Sequence, residues 1–126
     1  MFSHIMVGAN DLEASKKFYD AALGALGHAN VMPGDAPRLV YPGPGGSFIV
    51  GAPADGQPAT QYNGFTAGFA ATDAAAVDAF HAAGVANGGS DDGAPGPRPN
   101  APGNAYGAYL RDPDGHKVCA FCQLPE

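Results

Sequence analysis

The chain has 126 residues, 45% of them hydrophobic, with 12 Asp and Glu against 6 Lys and Arg for a net charge of -6. That composition excludes a disordered chain, and the absence of a basic cluster argues against a nucleic-acid or anionic-membrane surface. The length suits one domain, and 19 Gly with 12 Pro imply many turns joining short elements.

The start, MFSHIMVGAND, lacks a basic segment leading into a long apolar one, and no apolar run reaches the roughly 18 residues of a membrane span. A cytoplasmic protein is the expectation. Phe2 to Gly8 alternates as a short strand, with His4, Met6 and Gly8 on one face and Ser3, Ile5 and Val7 on the other. A helix is predicted next, capped by Asn10 with Glu13 completing a capping box. Leu12, Ser15, Phe18, Tyr19, Ala22 and Leu26 form its core stripe, and Gly24 or Gly27 ends it. His28 to Met32 reads as a weak strand cut by Pro33 and Gly34, and Arg38–Tyr41 with Ser47–Val50 as a hairpin about PGPGG.

A Gly/Pro linker over 51–64 follows, and the plan restarts. Phe65 to Ala71 is a predicted strand, Thr72 caps a helix carrying Val77 and Phe80, and Gly84 ends it. Residues 87–105, rich in Gly, Pro, Asn and Asp, read as a long loop that could act as a lid. The closing hairpin runs from Tyr106 to Phe121 about Asp112-Pro113-Asp114-Gly115, where side-chain acceptors, a preset φ and a glycine explain the turn. Cys119 and Cys122 spell CxxC, but on one strand they face opposite sides, which favours thiols over a redox pair.

The two halves repeat. A shift of 62 pairs His4 with Thr66, Asn10 with Thr72, Asp11 with Asp73 and Phe18 with Phe80; a shift of 69 pairs Tyr41 with Leu110, Gly46 with Gly115 and Val50 with Cys119. The expected fold is α+β: two βαβββ modules, 1–52 and 64–124, forming one curled mixed sheet as an open cup with helices on the convex face. The helices should cover Ile5, Val7, Leu39, Tyr41, Ile49, Phe69, Leu110, Val118 and Ala120. The helix-free face should carry His4, Met6, Arg38, Val40, Phe48, Val50, Thr66, Gly68, Tyr109, Cys119 and Phe121 and serve as the ligand cup.

Three stretches, SHIMVGANDLEASKKFYDAALG, GFTAGFAATDAAAVDAFHAAG and AYLRDPDGHKVCAF, resemble in order and spacing the vicinal oxygen chelate superfamily of glyoxalases, bleomycin-resistance proteins and extradiol dioxygenases. The resemblance spans the whole chain. It implies metal ligands on the first and last strands of each half, here His4, Val50, Thr66 and Cys119, and a homodimer. Only His4 is a usual ligand of that family: Val50 cannot ligate, Thr66 is a poor neutral donor and Cys119 replaces a carboxylate with a thiol. No cofactor is therefore expected, a divalent metal being disfavoured.

The expected function is binding of a small organic molecule in the cup, as a sequestering binder or a metal-independent enzyme. His4 is the candidate general acid or base, and Met6, Arg38, Phe48, Val50, Thr66, Tyr109, Cys119 and Phe121 are the other candidate contacts. Arg38 and Tyr109 suit a hydroxyl, carbonyl or carboxylate of the ligand. The alternative is a glyoxalase-like metal-dependent lyase, transferase or dioxygenase with a rearranged site. Asp112 and Asp114 are read as turn formers, His28 and His116 as strand-edge and turn residues, and His81 as a partly exposed helix residue.

Overall fold

The computed structural model describes residues 1–125. In chain order the elements are β1 (His4–Gly8), α1 (Leu12–Gly24), β2 (Arg38–Gly43), β3 (Gly46–Gly51), β4 (Ala67–Ala70), α2 (Ala74–Ala86), β5 (Ser90–Pro97), β6 (Ala105–Arg111) and β7 (Lys117–Gln123). The α+β class with curled mixed sheets holds. The strands fall into two sheets, β1-β3-β2 and β4-β7-β6-β5, with β1 parallel to β3, β4 parallel to β7 and the remaining pairs antiparallel.

Both helices start one residue later than the capping pattern suggested. Asp11 and Asp73, extended in backbone, accept from the Ala14 and Ala76 amides at 3.2 and 2.9 Å. An aspartate carboxylate at this place satisfies an orphan N–H and faces the positive end of the helix dipole. With the cap at Asp11, Glu13 is too early in the turn for a capping box. Helix α1 ends where Gly27 takes φ 90° and the His28 amide donates back to the Leu23 carbonyl at 3.0 Å. Helix α2 runs through Gly84 to Ala86. Gly84 is buried inside the helix because a Cβ there would overlap Leu110 and approach the Phe18 ring to 3.1 Å.

Two other expectations change. Residues 28–32 form no strand: the Val31 amide donates to the Val40 carbonyl, but the Val40 amide is taken by the Asn30 side chain at 2.9 Å, and Pro33 stops a ladder from growing. Conversely, much of the expected 87–105 loop is β5, an edge strand paired with β6 through two register shifts flanking Gly93. Bulges and prolines are tolerated at an edge, which is why a strand hides in SDDGAPGP.

The helices pack side by side on one side of the two sheets. Phe18, Tyr19 and Leu23 from α1 and Val77 and Phe80 from α2 are buried with Leu39, Tyr41, Phe48, Val50, Ala108, Leu110, Val118 and Ala120. Aromatic rings run through this core from Tyr41 to Tyr19, Phe48, Phe69 and Phe80, with centroids 5.0 to 6.4 Å apart, and so join the halves.

Polar contacts between the halves gather at the β6–β7 turn. The buried Asp112 carboxylate accepts from the Asp114 and His116 amides through Oδ1, at 3.0 and 2.9 Å, and from the Tyr19 hydroxyl through Oδ2, at 2.6 Å. His116 donates through Nε2 to the Gly8 carbonyl at 2.7 Å, and the Asn10 amide donates to Asp114 at 3.2 Å. The turn is thus a clasp between the modules as well as a turn. Burial pushes the Asp112 carboxyl up from its ordinary value against the donors that hold it down. Among the described residues no helix is long and apolar enough to cross a membrane.

Candidate functional site

Opposed residues in a ladder share a face. His4 lies opposite Ser47 and Met6 opposite Ile49, while Val40 also faces Ile49 and Arg38 lies opposite Gly51. His4, Met6, Arg38, Val40, Ser47 and Ile49 therefore make the helix-free side of the first sheet. On the second sheet, Gly68, Cys119 and Tyr109 form one cross-strand row, with Lys117 and Phe121 on the same side of β7.

Phe48 and Val50 are corrections. They lie opposite Ile5 and Val7 and are buried on the helix side, Phe48 with its centroid 5.1 Å from that of Tyr19. Ile49 takes the helix-free side instead. The first hairpin places six residues, 42 to 47, between the paired Tyr41 and Phe48, whereas the second places seven, 111 to 117, between Leu110 and Val118. One extra turn residue shifts the return strand by one, and a one-residue slip reverses every side chain. The partner of Cys119 in the repeat is accordingly Ile49. Thr66 is exposed just ahead of β4, and Gly68 rather than Thr66 faces Cys119.

The free edges of β1 and β4 border a cavity of about 330 Å³. Its wall includes Phe2, His4, Leu23, His28, Phe48 and Phe69, and it is completed by the Gly43–Ser47 turn and strand β4. Phe48 thus meets the cavity from the core side. His28, which follows the close of α1, is a site residue that sequence reasoning missed. No periodic signal marks a residue placed by a glycine helix stop. His4 is exposed, with Nδ1 2.8 Å from the Ser3 hydroxyl.

Cys119 is 4% exposed, and burial outweighs Lys117 and Arg98 to push its thiol up to about 11. A buried protonated thiol is not a ready nucleophile. Cys122 lies on the other side of β7 and is also a free thiol. Tyr109 has the Lys117 ammonium 4.8 Å and the Arg98 guanidinium 5.6 Å from its ring centroid, and Phe121 packs edge-on to it at 5.6 Å. The remaining histidine, His81, pairs with Asp91 on the helix side at 2.8 Å.

Comparison with known proteins decides the family. The model of the Glyoxalase/Bleomycin resistance protein/Dioxygenase superfamily matches residues 1–120. The chain belongs to this superfamily. A glyoxalase/bleomycin resistance protein from Albidiferax ferrireducens T118 is 56% identical, with a TM-score of 0.89 over 95% of this chain and 97% of that one. A glyoxalase-related enzyme from Fulvimarina pelagi is 22% identical, with a TM-score of 0.76 over 96% and 86% of the two chains. A lactoylglutathione lyase from Agrobacterium tumefaciens is also 22% identical, with a TM-score of 0.66 over 96% and 92%. These last two show a shared fold. No curated protein matches.

The metal that the superfamily resemblance implies can be tested against the residues present. Of the expected positions, Val50 is core, Thr66 is a neutral hydroxyl ahead of the strand, and Cys119 is a buried thiol standing between Gly68 and Tyr109, which leaves His4 as the one usual ligand. Among the described residues no three His, Cys, Asp or Glu side chains form a group able to hold a metal ion. This donor set does not fit a divalent site, which needs three or four ligands of suitable charge.

Proposed function

We propose that the chain binds a small organic molecule at the seam of its two sheets, without a metal held by its own side chains. The observation that carries this reading is the cavity of about 330 Å³, with the imidazoles of His4 and His28 among apolar and aromatic walls. Its volume is at the lower end for small-molecule sites, and its mix of a few polar groups among apolar ones is typical of them. His4, exposed at the cavity wall, is the group for hydrogen bonding or proton transfer, and the protein acts as a sequestering binder or a metal-independent enzyme. Cytoplasmic location and a homodimer belong to the same proposal, the latter supported by the unpaired outer edges of β2 and β5.

A metabolite panel screened by thermal shift in the presence and absence of EDTA tests the reading, since a ligand that binds only the native state raises the midpoint by mass action. The expected result is a hit indifferent to EDTA and lost in Ala70→Phe, which fills the cavity. Hits that all require an added divalent ion would overturn it.

A further inference from the structure

The chain carries 12 acidic and 6 basic side chains, yet its basic residues are not spread evenly. Lys16 and Lys17 lie on α1; Arg38, Arg111 and Lys117 begin or end strands, and Arg98 follows β5. Arg38 stands opposite Gly51 on the helix-free side of the first sheet. Arg98, Arg111 and Lys117 gather on the helix-free side of the second. Lys117 and Arg98 both address the Tyr109 ring, which puts the two charges no more than about 10 Å apart. Arg111 and Lys117 share one carboxylate, Asp92, at 3.0 and 3.7 Å. Among the described residues Arg98 meets no carboxylate; it donates to the carbonyls of Ala94, Gly96 and Pro97.

Among the described residues, three cations against one carboxylate form a locally positive patch on a negative molecule. Such clustering is unfavourable for an empty surface and becomes favourable when an anion occupies it. Its position matters as much as its charge. The row Tyr109, Cys119, Gly68 runs across β6, β7 and β4, and Gly68 is part of the cavity wall. Two strand spacings, about 10 Å, separate the backbones of Tyr109 and Gly68, on the scale of a small ring-bearing molecule.

From this juxtaposition we infer that the ligand is a small organic anion, a carboxylate or a phosphate ester, whose charged end is held by Lys117 and Arg98 beside Tyr109 and whose apolar body enters the seam cavity. The inference rests on the small-molecule reading above and adds the chemical class. Tyr109 is a positioning residue for the two cations. Loss of one charge-assisted contact should weaken the anion by about tenfold.

Benzoate, phenyl phosphate and neutral benzamide, titrated separately and followed by backbone amide NMR, test the assignment on the unaltered protein. The expected result is that at least one anion moves the amides of Tyr109, Lys117 and Cys119, that benzamide does not, and that the stronger anion identifies the headgroup. Lys117→Gln and Arg98→Gln should each weaken that anion by about tenfold with other amides unshifted. Benzamide moving the same amides as strongly would overturn the inference, as would anions that leave them still. Shifts at Ser47 and Ala70 report the cavity. If a neutral compound moves those while both anions leave Tyr109 untouched, the small-molecule reading stands and the anion assignment falls. An anion that moves Tyr109 while no compound moves Ser47 or Ala70 supports the charged site and removes the cavity from it.

Discussion

Asp112→Ala is the substitution that most sharply separates a clasp from a simple turn. The carboxylate accepts three hydrogen bonds, from the Asp114 and His116 amides on Oδ1 and from the Tyr19 hydroxyl on Oδ2. Tyr19 is fully buried, so its hydroxyl would be left without a partner at a cost of about 1–3 kcal/mol, and the two turn bonds are worth about 1 kcal/mol each. A loss of about 3 kcal/mol, set against an unfolding entropy of about 2 cal/mol/K per residue, lowers the melting temperature by about 10 °C. Asp112→Asn is the informative control. Its amide oxygen can replace Oδ1 for both backbone amides, and its NH2 can donate to the Tyr19 oxygen, so a loss under about 1 kcal/mol is expected. Thermal melts by circular dichroism on both variants decide the matter. Equal destabilisation by Ala and Asn, or no effect of Ala, would rule out a clasp of this kind.

The same carboxyl gives a pH test. Its folded-state pKa is raised, so its contribution to stability falls as pH climbs through its ordinary value of 3.8 and its higher folded value. Relative to wild type, Asp112→Asn should therefore gain stability between acid and neutral pH, as read by urea melts; a constant difference would contradict this. Gly84→Ala should destabilise by about 1–3 kcal/mol through overlap with Leu110 and Phe18, opposite in sign to the usual effect of Ala inside a helix; thermal melts read the sign directly. Cys119, with its thiol pushed up to about 11, should resist iodoacetamide at pH 8 in the folded protein and react on denaturation, as peptide mass spectrometry can follow.

Much of the fold was legible because two periodicities and a repeat agreed. The shift of 62 that pairs Asp11 with Asp73 and Phe18 with Phe80 holds in three dimensions, where both aspartates cap helices and both rings are fully buried. What failed did so for local reasons. The face of β3 was reversed because PGPGGS is one residue shorter than RDPDGHK, and a strand as apolar as GSFIVG has only Ser47, at its turn end, to fix its facing. Strand β5 was missed because an edge strand needs no apolar alternation. Of the candidate site, His4, Met6, Arg38, Tyr109, Cys119 and Phe121 do share the helix-free side, while Phe48 and Val50 do not. The clasp of Asp112 with Tyr19 joins residues 93 apart in sequence, and the turn chemistry alone already accounted for an Asp there.

The proposed function has this member of the superfamily handle a small molecule with its own side chains. Metal analysis of the protein purified without chelator, followed by calorimetric titration with divalent cations, separates that function from a metal-dependent one. Substoichiometric metal and no saturable heat in the native protein or in His4→Ala are predicted. One divalent ion per chain, lost in His4→Ala, would make the protein a metalloprotein and overturn the proposed function.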